Sequence, residues 1–326
     1  MIKRILSVAL VFLAGCSDAP NLNSEQAIAA LQQLNARLSG EKGDASQPWP
    51  YTPEYLKQRH DIYNAIARSQ LTPNQAQTLD YLITEERFVR RYQPWPLAAK
   101  IDASSAFFQD PLWQEGLAKW LRFVEQALEQ GQQSKIYLNA VEMAHIQAQL
   151  GQIKTQSTVP VLNSAIASLE TYLSRYMPRN QLGLGQLPNG AQWYQAKINY
   201  YSNQVRSPIQ WYTHILGEQK GLKGLNVQPL PEHEGAKIMP DLDWRQSYGD
   251  LRGWAKAQQL TPSQRYMALI WMEVDLGVHA QMWSEQFAYT ALANKGIDAG
   301  GATRILMQVL AHPGQSFIYA DAVNAP

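Results

Sequence analysis

The sequence has 326 residues, with 28 lysines and arginines against 27 aspartates and glutamates. No basic run or basic helical face stands out, so we predict no nucleic-acid partner. Cys16 is the only cysteine, which excludes an intramolecular disulfide, and the length allows one large domain or two small ones.

The N-terminus has the pattern of a secretory signal peptide. Lys3 and Arg4 precede an apolar run over residues 5–13, which is well short of the roughly 20 residues that a bilayer-spanning helix needs. Small residues follow in the segment Leu-Ala-Gly-Cys, which ends at Cys16. We therefore predict that residues 1–15 are removed on export and that the protein does not stay in the cytoplasm.

The segment that ends at Cys16 resembles the lipobox of bacterial lipoproteins, in which the cysteine becomes the acylated N-terminus. Lipidation also explains an unpaired thiol in an exported chain, although a signal peptide cut elsewhere beside a chance cysteine is the alternative. Ser17 stands where an aspartate would resemble an inner-membrane retention signal. The interpretation is a lipid-anchored outer-membrane protein facing the periplasm, with a signal peptide (1–15), a lipidated cysteine and tether (16–24) and a helical domain (25–326).

The rest of the chain carries strong helical signals. Capping side chains followed by proline at the first helical position mark five helix starts. Apolar residues at helical spacing extend the pattern, and alternating strand-like segments are scarce. We predict a single all-α domain. The marked starts are Thr52-Pro53, Thr72-Pro73, Asp110-Pro111, Ser207-Pro208 and Thr261-Pro262. The predicted helices cover residues 24–38, 111–130, 161–176, 193–203, 208–218, 264–275 and 284–292.

One long stretch, residues 221–248, lacks periodicity and holds a His-Glu pair, His233 and Glu234. A helical zinc protease needs a second histidine one turn later, and none follows His233. A solvated surface pair is the simpler interpretation. Asp275 and His279 lie one helical turn apart, so the carboxylate could orient the imidazole or share a ligand with it. Gly277 between them suggests that the helix ends there.

Two segments resemble the bacterial family called domain of unknown function 885, whose members are helical, often exported and similar to zinc metallopeptidases. The first covers residues 187–194 and 207–217, and the second covers residues 275–286 and 313–319. The second contains Asp-Leu-Gly-Val-His and Pro-Gly-Gln, close to the family's D-T-G-x-H and P-G-Q motifs. The resemblance implies a metallopeptidase-like helical fold.

The departures from the family pattern affect the predicted chemistry. Family members carry H-E-x-x-P-G-H-H-x-Q between the two segments, whereas this chain has only His233-Glu234-Gly235. A second family motif, E-G-W-A-x-Y-A-E, begins with a glutamate, and this chain has Arg252 at that position. The chain is also shorter than typical family members. A single histidine and glutamate fall short of the three protein ligands of catalytic zinc. The pattern favours a protein that has lost catalysis.

The segment that matches the family's substrate side supplies the catalytic or binding candidates His279, Gln315 and Tyr319. We predict that they form a polar pocket for a peptide or its carboxylate, or for an envelope protein, and that no cofactor is needed. Helix packing is the alternative role for these residues. Two alternative functions stay open. One is an active zinc-dependent hydrolase with His233, Glu234, His279 and Asp275 as ligands, and the other is a structural envelope lipoprotein.

Overall fold

The computed structural model describes residues 21–35, 49, 51–97, 101, 103–104, 106–231 and 253–323. The predicted signal peptide, Cys16 and the pair His233 and Glu234 lie outside these residues. The α-helices are α1 (Ser24–Asn35), α2 (Pro53–Ala65), α3 (Pro73–Glu85), α4 (Val89–Tyr92), α5 (Pro111–Gln133), α6 (Ala140–Gln156), α7 (Pro160–Leu173), α8 (Gly190–Ser202), α9 (Pro208–Lys220), α10 (Pro262–His279), α11 (Glu285–Ala293), α12 (Ala299–Ala311) and α13 (Ala320–Val323).

The all-α prediction is confirmed for the part of the chain that the structure describes. Extended pairing there is limited to two isolated bridges, Leu22 with Ile66 and Asn139 with Arg179. Short 3-10 helices cover Arg68–Gln70, Ala106–Gln109 and Gln315–Tyr319, and residues 253–257 are also helical. None of the described helices is both long and apolar enough to cross a membrane.

All five predicted starts of the cap-and-proline type are helix N-termini. In each one the capping oxygen accepts a backbone N–H from the first turn, and proline follows where no N–H partner is needed. Ser207, Thr72 and Thr261 also form reciprocal capping boxes with the glutamine three residues later. The N-caps are Thr52, Thr72, Asp110, Ser207 and Thr261.

The predicted end of α10 is wrong, because the helix continues through Gly277 to His279. Glycine at this position serves packing. A Cβ on Gly277 would lie 2.3 Å from Cδ2 of Trp283, so the indole covers the helix where a side chain would stand. Residues 268–279 are all buried, and tertiary contacts on every side hold the last turn in place.

Helix α10 lies at the centre of the C-terminal half. It packs against α9, α11, α12, α13 and the 3-10 helix Gln315–Tyr319, and that 3-10 helix packs in turn on α8. In the N-terminal half, α5 packs along α7 and α1 packs on α2. The buried apolar side chains of both halves belong to one core cluster. The two segments that carry the family resemblance therefore meet around α10.

Candidate functional site

A cleft of about 510 Å³ opens beside α10. Its walls come from α10, α12, the 3-10 helix Gln315–Tyr319, residues 227–231 and Trp254. Trp254, Trp271 and Tyr319 give it an aromatic side, with ring centroids 6.2 Å apart for Trp254 and Tyr319 and 6.0 Å apart for Trp271 and Tyr319. Arg304 and Gln308 of α12 lie on its polar side.

Gln315 is the most unusual residue of this lining. Its side chain is fully buried, and neither its Oε1 nor its Nε2 has a hydrogen-bond partner among the described residues. Leaving a buried amide unpaired is costly, since its hydration is lost without replacement. An unpaired amide beside a cleft is therefore a candidate ligand-binding group. Tyr319 is better satisfied, because its hydroxyl donates to the carbonyl of Pro231 at 3.1 Å.

Asp275 fixes the turn that places Gln315. Gly314 adopts a positive φ of 78°, and its backbone N–H donates to the Asp275 carboxylate at 3.0 Å. The hydroxyls of Ser316 and Tyr194 donate to the same carboxylate at 2.7 and 2.9 Å. Burial raises the pKa of Asp275 to about 6, although these donors oppose the shift. The Pro-Gly-Gln segment is thus tied to the C-terminal part of the buried helix α10.

His279 lies outside the cleft lining and both of its ring nitrogens are occupied. Nδ1 accepts the backbone N–H of Leu184 at 3.2 Å, so Nε2 carries the proton and donates to the carbonyl of Val309 at 3.0 Å. Burial lowers the pKa of His279 to about 3, and the cations Arg179 and Lys197 add to this effect. The imidazole is neutral and joins three segments of backbone. In this arrangement neither nitrogen offers a lone pair to a metal ion.

Asp275 does not orient His279, although the two are one turn apart. Their hydrogen bonds go to different partners, and Tyr194 lies against both: its hydroxyl bonds Asp275, and its ring centroid is 5.1 Å from that of His279. The structure therefore brings Gln315 and Tyr319 together at the cleft and places His279 behind it, in the core.

Two glycines explain how the loop before α8 reaches His279. A Cβ on Gly183 would lie 1.9 Å from the Val278 carbonyl oxygen, and one on Gly185 would lie 2.5 Å from that of His279. The Gly-Leu-Gly segment is thus a close-approach contact with the end of α10, and it presents the N–H of Leu184 to the imidazole.

A metal centre is not formed within the described ranges, where no group of three or more histidine, cysteine, aspartate or glutamate side chains could hold an ion. His233 and Glu234 lie outside those ranges, so the prediction that no cofactor is needed and the zinc-binding alternative both stay predictions.

The structure adds functional candidates that the sequence did not indicate. Trp271 and Arg304 belong to no motif of the family resemblance. Trp254 occupies the tryptophan position of the E-G-W-A comparison, but no spacing links it to the other two residues before the chain folds. Arg304 is the only charged residue of α12. A single charged position on a helix that is mostly apolar and glycine was the one available signal.

A buried ion pair was also unforeseen. Lys197 and Glu85 are fully buried and lie 2.9 Å apart, with the Trp193 indole N–H donating to the same carboxylate. The ammonium also lies 4.8 Å from the centroid of the Trp193 ring. The sequence around Lys197 in α8 is rich in aromatic residues and does not indicate that the partner of this lysine lies in α3.

A second groove, about 650 Å³, lies between α5 and α7. Its lining includes exposed Ser164, Ala167, Ser168 and Thr171, and it contains none of the predicted site residues. Its exposed lining makes it a shallow surface feature, so we place the candidate site at the cleft.

No family model matches the chain, and no curated protein matches it. A solved structure described as "the putative lipoprotein from Colwellia psychrerythraea" aligns with 94% of this chain and 70% of that chain, at 12% identity and a TM-score of 0.37.

Proposed function

We propose that this protein is a lipid-anchored envelope lipoprotein whose helical domain is a non-catalytic module that binds a peptide or a peptide segment of an envelope protein. The observation that carries the proposal is the unpaired, fully buried amide of Gln315 beside a cleft with aromatic walls. Aromatic side chains bind apolar groups with little loss of conformational entropy, and an amide matches the hydrogen-bonding groups of a peptide bond.

The predicted candidates support a binding role better than a catalytic one. The neutral imidazole of His279 is committed to backbone groups on both sides, and a general base needs a nitrogen within reach of its substrate. Gln315 and Tyr319 supply hydrogen-bonding and packing groups. Amide and phenol side chains of this kind recognise a ligand without a proton-transfer step.

The test is retention of peptides by the full-length chain, purified in detergent and immobilised. The probe is a mixture of tetrapeptides built from alanine, leucine and phenylalanine, with bound species identified by mass spectrometry. Gln308→Trp places an indole in the cleft from an exposed position of α12, so we expect retention to fall at least about five-fold.

Gln286→Trp, at an exposed position of α11 that is absent from the lining, is the matched control and should leave retention unchanged. No retention by the wild-type chain would contradict the proposal and favour a structural lipoprotein. Stoichiometric zinc, lost in His233→Ala together with cleavage of the tetrapeptides, would replace it with a metal-dependent hydrolase.

A further inference from the structure

The charges of the cleft indicate which part of a peptide it takes. Among the described residues of its lining, Arg304 and Asp298 are the charged ones. The Asp298 carboxylate caps α12 by accepting the backbone N–H of Gly301 at 2.6 Å, so its charge is directed at the helix N-terminus.

The guanidinium of Arg304 lies over the first turn of α12. Its nitrogens are 3.6 and 3.7 Å from the positions that a Cβ would take on Gly300 and Gly301. Arg304 is exposed and makes no ion pair with the described residues. The Asp298 carboxylate oxygen lies 3.5 and 3.3 Å from the same two positions, but it caps the helix and forms no ion pair with Arg304. The bidentate donors of Arg304 are therefore available to a ligand carboxylate.

The aromatic wall of the cleft suits an apolar side chain. Trp254, Trp271 and Tyr319 provide large ring surfaces, and Ile305 and Ile318 add aliphatic surface to the lining. Gln315 belongs to the same lining, and its amide is buried and unpaired. Hydrogen bonds from this amide to a bound peptide group would offset the cost of its unpaired state.

We infer that the cleft binds the free C-terminal end of an apolar peptide, with the terminal carboxylate on Arg304, the last apolar side chain against the aromatic wall, and a peptide group paired with Gln315. This inference rests on the proposed function and adds a chemical requirement to it. An internal peptide segment would satisfy the aromatic wall and Gln315 but would leave Arg304 without its anion.

The experiment compares two tetrapeptide mixtures of identical composition, one ending in carboxylates and the other in carboxamides. Both are offered to the full-length chain in the retention assay. We expect the carboxylate mixture to be retained about five-fold more strongly, with a preference that declines as the salt concentration rises, because Arg304 is exposed. Arg304→Gln should abolish the preference, and Arg304→Lys should restore part of it.

Arg122→Gln, at an exposed position of α5, is the charge-matched control and should keep the preference. Gln315→Leu should reduce the retention of both mixtures by the same factor. Equal retention of the two mixtures by the wild-type chain, or a preference that survives Arg304→Gln in a variant with unchanged thermal unfolding, would overturn this inference and leave the proposed function standing. Retention of neither mixture would overturn both.

Discussion

Gln114 and Gln315 are two fully buried glutamines that differ in their hydrogen bonds. Gln114 is fully buried like Gln315, but its amide donates to the carbonyl of Phe108 and the hydroxyl of Thr158 and accepts the N–H groups of Thr158 and Val159. Gln315 makes none of these bonds within the described structure. A buried polar side chain without a structural partner is a candidate for ligand binding.

Leucine at these two positions should therefore have opposite effects on stability. Gln315→Leu removes an unpaired polar group, so we expect the free energy of unfolding to rise by about 1 kcal/mol. Gln114→Leu leaves backbone donors unpaired and should lower it by about 2 kcal/mol. Urea denaturation measures both, and a Gln315→Leu variant as unstable as Gln114→Leu would show that the Gln315 amide is satisfied.

Asp275 and His279 should give the domain opposing responses to acid. Burial lowers the pKa of His279 from the ordinary 6.5 to about 3. The unfolded state therefore binds more protons between these values, and stability falls as the pH is lowered. For Asp275 the folded pKa of about 6 exceeds the ordinary 3.8. The folded state then binds more protons over that range, and stability rises as the pH is lowered.

The prediction concerns the change in stability between pH 7 and pH 5. Asp275→Asn removes the group that makes the protein more stable as the pH falls, so acidification should destabilise this variant more than the wild type. His279→Gln removes the group that makes the protein less stable as the pH falls, so acidification should destabilise this variant less than the wild type. Denaturant titrations at the two pH values test this. Identical pH responses in all three proteins would mean that neither group is shifted by burial.

Local chemistry made the helix starts predictable, whereas tertiary contacts decided the rest. A capping oxygen followed by proline determines a start within about four residues, so all five such starts were correct. The end of α10 depended on Trp283, from the loop that follows this helix, covering Gly277, and sequence periodicity does not reveal such a contact. Gln315 and Tyr319 were predicted from the family resemblance. The cleft around them also needs Trp254 and Arg304, and no local pattern links residues from such distant segments.

Thr261 and Val159 are both helix N-caps, but only the Thr261 side chain accepts a hydrogen bond from the backbone of its helix. Val159 is the N-cap of α7 and makes no side-chain hydrogen bond, whereas Thr261 caps α10. Thr261→Val should lower the free energy of unfolding by about 1 kcal/mol, and Val159→Thr should raise it by about 0.5 kcal/mol. Thermal unfolding is the readout, and shifts in the same direction would contradict the capping argument.

Gly183 and Gly151 differ in the space that a Cβ atom would have. A Cβ on Gly183 would overlap the Val278 carbonyl, whereas one on Gly151, inside α6, meets nothing within 4 Å. Gly183→Ala should destabilise the protein by roughly 2 kcal/mol or more because the loop must move away from α10. Gly151→Ala should stabilise it by about 0.5–1 kcal/mol through helix propensity. Denaturant midpoints measure both, and a neutral Gly183→Ala would show that this contact can relax.

At the scale of the whole molecule, one core holds both halves of the chain together and the binding function is proposed at its C-terminal half. The membrane contact is proposed at the opposite end of the sequence, at Cys16. This separation means that anchoring and binding should be lost independently.

Cys16→Ser should release the protein from the membrane fraction of a Gram-negative host and leave peptide retention unchanged, because several acyl chains are needed for stable attachment. Ser17→Asp should keep the protein attached but move it from the outer to the inner membrane. Fractionation followed by immunoblotting distinguishes these outcomes. Membrane attachment that survives Cys16→Ser would contradict the lipid anchor.

The buried contact between Glu85 and Lys197 constrains how this sequence can evolve. Removal of either partner leaves an uncompensated charge in the core, which typically costs several kcal/mol, whereas joint replacement by apolar residues of similar volume is often tolerated. Relatives that diverge here should therefore change the residue in α3 and the residue in α8 together. An intermediate sequence with only one of the two changes should fold poorly.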